Sequence, residues 1–437
     1  MERKIGLAGA ISTLIGTMVG AAIFVMLGSL ASQTGNSLVF AFLVGAIPAF
    51  LASAYYIQLS SIVPENGGSF VYTKRFVHPI AGMIVGLFLV FAGVGAIGML
   101  ALGFVDYFKF FFTTDLSLVL AVAFVVLFIL LNILGIEFAS KLQIVMVGWM
   151  LLALIVFIIA GFWAYTSGVS VATEETPFFF NGTSGFLMAS VLAFYSYAGY
   201  GLITELGGKI KNAKRNAPLA IGISLVIVTT IYALLAFVAL KVVDLSEFIA
   251  FTASLPMAAE KFLPQWLVNF IAIGGIMAIA TTINAIFLVI PEELRVMAEH
   301  RDISPIFKKV HAKFNTPYVS ILTIGIIAIV LILLGVSSTI LTTMTVVGLL
   351  IGSIFMGTSM LFVLKKHKHI YENAQIKIPK PVLIVCCVLG ILTSAFFMLI
   401  AFLDAPFVAV VAVALVIITF IYMKIKKPSS VSEEEMG

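Results

Sequence analysis

Residues 15–24 have the sequence IGTMVGAAIF and lie inside the first long apolar segment of the chain. A similar glycine-containing stretch, SYAGYG at 196–201, lies inside the sixth apolar segment. Glycine weakens a helix, and a weakened helix within a membrane is tolerated only where the freed backbone groups face protein, a cavity or a ligand. Two such breaks in corresponding segments indicate a secondary transporter with a binding site near the middle of the bilayer.

The composition around these stretches is that of a membrane protein. Of the 437 residues, 62% are hydrophobic and 10% are charged, and the mean hydropathy is +1.19. Soluble globular domains do not carry so much apolar surface. The first apolar segment is longer than a signal peptide and is followed by many similar ones, so we do not expect it to be cleaved. We therefore predict an all-α polytopic membrane protein.

The apolar segments predict twelve membrane-spanning helices. Their ranges are 6–32, 38–62, 80–104, 116–136, 143–166, 184–206, 217–240, 265–290, 318–335, 339–364, 381–403 and 405–424. If the N-terminus is inside, all but three of the 25 Lys and Arg residues fall in inner segments; the exceptions are Lys109, Lys241 and Lys261. The positive-inside rule then predicts a multi-pass protein of the cell (inner) membrane with both termini in the cytoplasm. The basic loops serve topology, and we expect no nucleic-acid partner.

The two breaks predict a site for an amino acid. An interrupted helix offers N–H groups with partial positive charge, which suit a carboxylate, and C=O groups, which suit an ammonium group. The predicted substrate-binding residues are Gly20, Ala21, Ala22, Ile23 and Phe24 at the first break, and Phe194, Tyr195, Ser196, Tyr197, Ala198, Gly199 and Tyr200 at the second. The alternative is that the small residues only allow close helix packing, since Gly16 and Gly20 have the small-xxx-small spacing.

Ionisable residues are scarce within the predicted spans. Glu205, shortly after the second break, is a candidate for coupling or gating because a carboxylate within a membrane is costly. The alternative is that Glu205 lies at the inner mouth and pairs with Lys209 or another basic residue. Because no carboxylate lies at the breaks themselves, the sequence favours a neutral substrate over a cationic one.

Four stretches in order resemble the amino acid–polyamine–organocation (APC) superfamily. They are IGTMVGAAIF at 15–24, PENGGSFVY at 64–72, the second break followed by KNAKRNAP at 211–218, and TTINA at 281–285. The resemblance implies a fold like that of the bacterial leucine transporter, with a 5+5 inverted repeat and broken helices 1 and 6. It places the first repeat at 1–170, the second at 171–370 and two extra helices at 371–424. We expect 425–437 to be a disordered cytoplasmic tail.

The resemblance also implies an ion site. In sodium-coupled proteins of this fold, a sodium ion lies between the first and eighth helices, and the matching residues here are Gly16, Val19, Ala278, Thr281 and Thr282. Oxygen ligands of this kind suit a small hard cation. The alternative is that both threonines bond only to their own helix. The fifth span lacks the lysine of some proton-coupled relatives, whose position we expect near Gly148 or Met150.

Together these features predict transport of amino acids by ion-coupled symport with alternating access. Neutral L-amino acids are the favoured substrates. Uncoupled exchange of amino acids or amines, and a non-transporting amino acid sensor, remain alternatives. The spans contain no cluster of nucleophile, base and metal ligands, so we do not expect an enzyme. The expected partners are the amino acid substrate and the lipid bilayer, and the sequence does not identify a partner protein. Sodium is the one cofactor considered.

Overall fold

The computed structural model describes residues 5–63, 65–112, 115–173, 177–205, 207–250 and 254–426. The side chains of 21–22, 136–140, 205 and 207 lie outside this description. The side chains of Ala21, Ala22 and Glu205, three predicted site residues, are therefore not placed. Nearly all of the predicted tail, from residue 427 onward, also lies outside the described residues.

The described residues form α-helices joined by short loops, and no β-strand occurs among them. The helices are α1 (Leu7–Met18), α2 (Ala21–Thr34), α3 (Leu38–Ile62), α4 (Gly68–Phe76), α5 (Pro79–Phe111), α6 (Ser117–Ile133), α7 (Ile136–Thr166), α8 (Gly182–Tyr195), α9 (Ala213–Val242), α10 (Leu245–Ala250), α11 (Ser254–Ala259), α12 (Gln265–Glu299), α13 (Tyr318–Leu333), α14 (Ser338–Lys366), α15 (Lys368–Glu372), α16 (Lys380–Asp404) and α17 (Pro406–Lys426). Short 3₁₀ turns lie at Gly35–Ser37, Leu202–Glu205, Gly207–Lys209 and Pro305–Lys308.

Each of the twelve predicted spans lies on one of these helices or on a broken pair. Eight continuous helical stretches of the described chain are long and apolar enough to cross a membrane, and one of them, Ile23–Ile62, joins α2 to α3 through a 3₁₀ turn. The shorter apolar helices are α1, α6, α8 and α13. The prediction of an all-α polytopic fold with interrupted first and sixth spans is confirmed.

Helix packing shows a regular exchange of partners. Helix α5, the third span, packs along α14, the tenth span. Helix α12, the eighth span, packs along α7, the fifth span. In the same way, α1 of the first span packs on α9, the seventh span, and α8 of the sixth span packs on α3, the second span. A shift of five spans thus converts one set of contacts into the other, as expected for two repeats; since five is odd, the second repeat has the opposite orientation across the membrane. The repeat boundaries stay predictions.

Burial separates central from peripheral helices. In the most apolar part of α12, 78% of residues are buried, against 22% in α17. Helix α12 contacts α1, α2, α5 and α7, and therefore lies between the first break and the surrounding helices. The exposed apolar side chains of α16 and α17 form a surface suited to lipid.

Candidate functional site

The first break lies between α1 and α2. Helix α1 ends at Met18, and Gly20 leaves the helical conformation with a ψ of −116° before α2 begins at Ala21. A Cβ atom on Gly20 would overlap the Thr282 hydroxyl and lie 2.8 Å from the Ala278 carbonyl oxygen. The N-cap residue Gly20 has no side chain to cap the start of α2, and N–H groups at the start of a helix suit an anionic ligand.

The second break follows α8. Helix α8 ends at Tyr195, and the chain continues through turns to the 3₁₀ segment Leu202–Glu205. Gly199 has a φ of +108°, and a Cβ there would lie 2.9 Å from Thr17 of α1. Glycine is required at this position by both the backbone conformation and the close approach. The two breaks are therefore in direct contact.

A tyrosine from α9 connects the two breaks. The Tyr232 hydroxyl lies 2.5 Å from the Met18 carbonyl oxygen and 2.9 Å from that of Ser196. These carbonyls stand at the ends of α1 and α8, where a helix leaves its last C=O groups without partners. The sequence analysis did not identify Tyr232; its only signal was a hydroxyl in the middle of an apolar span.

A central cavity lies between the breaks. It occupies about 500 Å³ including its opening. Its lining residues are Thr17, Met18, Leu89, Ala92, Gly93, Ala96, Tyr195, Ala198, Gly199, Leu202, Thr282, Ile286, Ile290, Thr345 and Leu349. None of these residues is ionisable at neutral pH, so the lining contributes no formal charge to a bound solute.

The structure brings only part of the predicted substrate set to this cavity. Tyr195, Ala198 and Gly199 line it. Tyr200 and Phe194 line an adjoining smaller pocket. The Tyr197 hydroxyl donates to the Phe42 carbonyl oxygen 3.1 Å away and so faces α3.

The remaining described members of the predicted set are buried close to the breaks. Ile23 and Phe24 are fully buried, and the Phe24 carbonyl accepts a 2.8 Å bond from Tyr107 of α5. Ser196 is buried, and its hydroxyl has no partner among the described residues. Because a buried hydroxyl without a partner is costly, this group is a candidate to bond to a water or a solute at the second break.

Four of the five predicted ion ligands gather at the contact between α1 and α12. The Thr281 hydroxyl lies 3.1 Å from the Gly16 carbonyl oxygen and 2.8 Å from that of Ala278. The corresponding distances from the Thr282 hydroxyl are 2.8 Å and 3.2 Å. We call these four oxygens the oxygen cluster. Val19 lies at the end of α1 with its N–H bonded to Ile15.

The oxygen cluster has the chemistry of a small-cation site. Its oxygens are hard donors from two carbonyls and two hydroxyls, and a cation would bind once the hydroxyl hydrogens turn away from it. Each hydroxyl has one hydrogen to donate and lies at most 3.2 Å from one carbonyl oxygen of its own helix and one of α1, so bonding within the helix remains an alternative. No group of three or more His, Cys, Asp or Glu residues suited to a metal occurs in the described chain.

Helix α7 contacts the first helix through Gln143 and Val147, and the position expected for the lysine of proton-coupled relatives, near Gly148 or Met150, stays a prediction. A Cβ on Gly16 would overlap the Gln143 amide nitrogen and lie 2.9 Å from Val147. Gly148, by contrast, has no atom near its own Cβ position. The packing of α7 against α1 decides which residues of α7 face Gly16, and the sequence alone does not show this.

Charged residues form a buried network at the end of the bundle that carries the basic loops. Glu292 of α12 lies 3.2 Å from Lys209 and 2.6 Å from Arg295. It also accepts a 2.9 Å bond from Asn66. Burial lowers the pKa of Lys209, and the adjacent Glu292 carboxylate opposes that shift. Lys209, one predicted partner of Glu205, is thus paired with Glu292.

Two further contacts close this basic end. Lys74 forms a buried ion pair with Asp302 at 2.6 Å. Ile5, just before α1, forms a parallel β-bridge with Ile210, just after the second break. The segments that lead into and out of the two breaks are therefore tied together.

The opposite end of the bundle contains a larger cavity. It occupies about 1030 Å³ including its opening and lies between α2, α5, α6, α8 and α14. Asp106 and Lys109 of α5 line it together with the hydroxyls of Ser29, Ser338 and Thr342. Ion pairs and the β-bridge thus close the bundle at its basic end, and a cavity lies at the other end.

Comparisons with known proteins agree over most of the chain. The sequence profile described as amino acid permease matches residues 5–425. The chain is 26% identical over 330 residues to the serine/threonine exchanger SteT of Bacillus subtilis, covering 74% of each protein. It is 24% identical over 345 residues to the branched-chain amino acid permease BcaP of the same bacterium, covering 73% of this chain and 72% of the relative. It is also 26% identical over 316 residues to the inner membrane transport protein YbaT of Escherichia coli, covering 70% and 72%.

Proposed function

The chain belongs to the amino acid permease family and is a multi-pass amino acid transporter, and we propose that its substrates are neutral L-amino acids carried by alternating access. The observation that supports this most directly is the central cavity, whose lining is uncharged although it lies between two helix breaks. Such a cavity leaves the two charged groups of a zwitterion to the backbone. An additional side-chain charge on the substrate has no counter-charge in the lining.

In this proposal the breaks bind the backbone groups of the substrate. The uncapped N–H groups at the start of α2 receive the carboxylate. The carbonyl end of α8 attracts the ammonium group through the partial negative charge of a helix C-terminus. The Tyr232 hydroxyl occupies the Met18 and Ser196 carbonyls, which leaves later residues of the second break to contact the substrate.

For coupling, we propose symport with a small cation, sodium in the first instance, held by the oxygen cluster. A bound cation would hold α1 to α12 next to the substrate, and this links cation binding to the conformation of the first break. The competing proposal is exchange of one amino acid for another without an ion. The name of SteT, a serine/threonine exchanger, favours this alternative.

We also propose that the protein lies in the inner (cell) membrane and that its basic end faces the cytoplasm. The asymmetry of Lys and Arg supports this orientation, and the name of YbaT supports the location. In that orientation the larger cavity opens outward and the charged network closes the path inward.

Uptake by proteoliposomes tests these proposals together. Radiolabelled neutral, cationic and anionic amino acids are offered under a sodium gradient, a proton gradient, no gradient, or with unlabelled amino acid inside. We expect neutral amino acids to enter under the sodium gradient. Uptake that requires internal amino acid instead would establish exchange. Binding of a labelled amino acid without flux under any condition would indicate an amino acid sensor and contradict transport.

A further inference from the structure

Three side-chain amides form a hydrogen-bonded chain beside the oxygen cluster. The Asn132 Nδ2 of α6 donates to Asn284 Oδ1 of α12 at 3.1 Å, and Asn284 Nδ2 donates to Gln143 Oε1 of α7 at 2.8 Å. Each of the three side chains is at most 2% exposed. Amides buried this deeply in apolar spans are costly unless they bond to one another. We call this set the amide chain.

Both ends of the amide chain have an open bonding position. Gln143 Nε2 and Asn132 Oδ1 are buried and have no hydrogen-bond partner among the described residues. The Gln143 end lies against Gly16, where an added Cβ would also come within 3.3 Å of Thr281 Cβ. An unsatisfied donor therefore adjoins two residues of the oxygen cluster.

The amide chain has two directions that use the same heavy-atom positions. A 180° turn of a terminal amide exchanges its oxygen and nitrogen. If all three amides turn, Gln143 donates to Asn284, Asn284 donates to Asn132, and Gln143 Oε1 faces Gly16. The reversed direction loses the 3.0 Å bond from Asn132 Nδ2 to the Phe128 carbonyl. The described direction is therefore preferred while no cation is bound.

We propose that Gln143 is an additional ligand of the cation site and that cation binding reverses the amide chain. This inference rests on the cation coupling proposed above. In the described direction the chain presents N–H₂ to the oxygen cluster, which repels a cation. In the reversed direction it presents a carbonyl oxygen, which joins those of Gly16 and Ala278 and the hydroxyls of Thr281 and Thr282. Val19 is not required.

The proposal gives Asn132 a defined part although it lies at the far end of the chain. Asn132 bonds to Asn284 in either direction, as donor in the described one and as acceptor in the reversed one, but only the described direction also has its bond to the Phe128 carbonyl. Asn132 is then a positioning residue, and Gln143 is the one that contacts the cation. The loss of Asn132 therefore removes the preference for the described direction and should favour cation binding, in the opposite sense to the loss of Gln143.

Thermal unfolding of the purified full chain in detergent tests the proposal without measuring transport. The unfolding temperature is recorded as NaCl replaces choline chloride at constant ionic strength. The variants are Gln143→Leu, Gln143→Glu and Asn132→Leu. The control is Gln58→Leu, because Gln58 is also fully buried but bonds to Ile376 and Ile378, away from the amide chain.

We expect sodium to raise the unfolding temperature of the wild type and of Gln58→Leu with the same midpoint concentration. The midpoint rises at least tenfold in Gln143→Leu and falls in Asn132→Leu, which no longer has the Phe128 bond that favours the cation-free direction. It falls in Gln143→Glu, whose ionised carboxylate has only acceptor oxygens. The glutamate variant also decides the matter if the leucine variant does not fold.

An unchanged sodium midpoint in Gln143→Leu or Gln143→Glu would overturn the role of Gln143. A wild type that sodium does not stabilise, but that a neutral amino acid does, would overturn both the cation site and this inference while leaving amino acid binding intact. A wild type that responds to neither ligand would contradict the proposed function itself. The three failures are therefore distinguishable.

Discussion

Individual residues at the breaks are held by contacts that leave little freedom to substitute them. Gly20 lies where any side chain would enter the space of Thr282, and Gly199 combines a positive φ with contact to Thr17. The Tyr232 hydroxyl is shared between two carbonyls. These contacts lead to two predictions at this scale.

Gly20→Ala should lower the maximal rate of amino acid uptake at least tenfold, because the new methyl group displaces Thr282 from the oxygen cluster. The measurement is initial uptake in proteoliposomes, normalised to the amount of folded protein. Gly222→Ala in α9 is the matched control, since no atom lies within 4 Å of its Cβ position. Equal rates for the two variants would contradict the close packing at Gly20.

Tyr232→Phe should lower the free energy of unfolding by about 1–3 kcal/mol, because two buried carbonyls lose their donor while the ring packing remains. It should also slow transport, since the ends of α1 and α8 are no longer connected. Denaturant unfolding in detergent measures the first effect. Tyr165→Phe, at the far end of α7, is the control. A Tyr232 variant as stable as the control would show that the shared hydroxyl contributes little.

Sequence identified the glycines of the breaks but not the polar residues that support them. Gly16 and Gly20 were predictable because the effect of glycine on a helix is local and needs no knowledge of the neighbouring helices. Tyr232 and Gln143 were not, because their roles depend on which neighbouring helix each side chain faces. A hydroxyl or amide within an apolar span signals that a partner exists without saying where it lies.

At the scale of helices, the charged network joins α12 to the segment after the second break. Glu292 is 2% exposed and bonds to Lys209, Arg295 and Asn66. The removal of one partner from a buried set of charges leaves the others unpaired, which is more costly than the loss of an exposed pair. The network should therefore govern how readily the basic end opens.

Glu292→Gln should destabilise the folded protein by about 3–5 kcal/mol, because Lys209 loses its counter-charge while Arg295 keeps only Glu299. Glu65→Gln removes the more exposed pair with Arg75 and should cost at most about 1 kcal/mol. Hydrogen–deuterium exchange should rise at Gly208 and Lys211 in the first variant alone. Equal exchange in both variants would mean that the network does not hold the basic end closed.

The interrupted helices themselves were predictable, but their form was only partly so. The first break follows the expected pattern, with two α-helices either side of Gly20. After the second break the chain forms 3₁₀ turns instead of a second α-helix. Glycines at 199, 201, 207 and 208 weaken the α-helix throughout this segment. The bond from the Gly208 N–H to Asn66 Oδ1 and the β-bridge to Ile5 then fix its path.

For the whole molecule, hydropathy predicted twelve spans, each of which lies on a described helix or a broken pair, and the charge distribution gives an orientation that stays a prediction. They did not predict which end of the bundle is open, because that depends on contacts between residues far apart in sequence. The cavity that holds Asp106 and Lys109 and the network around Glu292 lie at opposite ends. The difference between the two ends is accessible to chemical labelling.

In a variant with Cys386 and Cys387 replaced by alanine, Ser338→Cys should react with a membrane-impermeant maleimide added to intact cells. Ser338 lines the larger cavity. Ser304→Cys, exposed at the basic end, should react only after the membrane is permeabilised. The reverse pattern would invert the proposed orientation. Protection of Ser338→Cys by substrate would further show that the cavity leads to the binding site.

The β-bridge between Ile5 and Ile210 has a consequence for the path between conformations. It joins the segment before α1 to the segment after the second break. Its two backbone hydrogen bonds run from the Ile5 N–H to the Lys209 carbonyl and from the Lys211 N–H to the Ile5 carbonyl. Separation of the two segments would break both bonds, so we expect these segments to move together when the basic end opens.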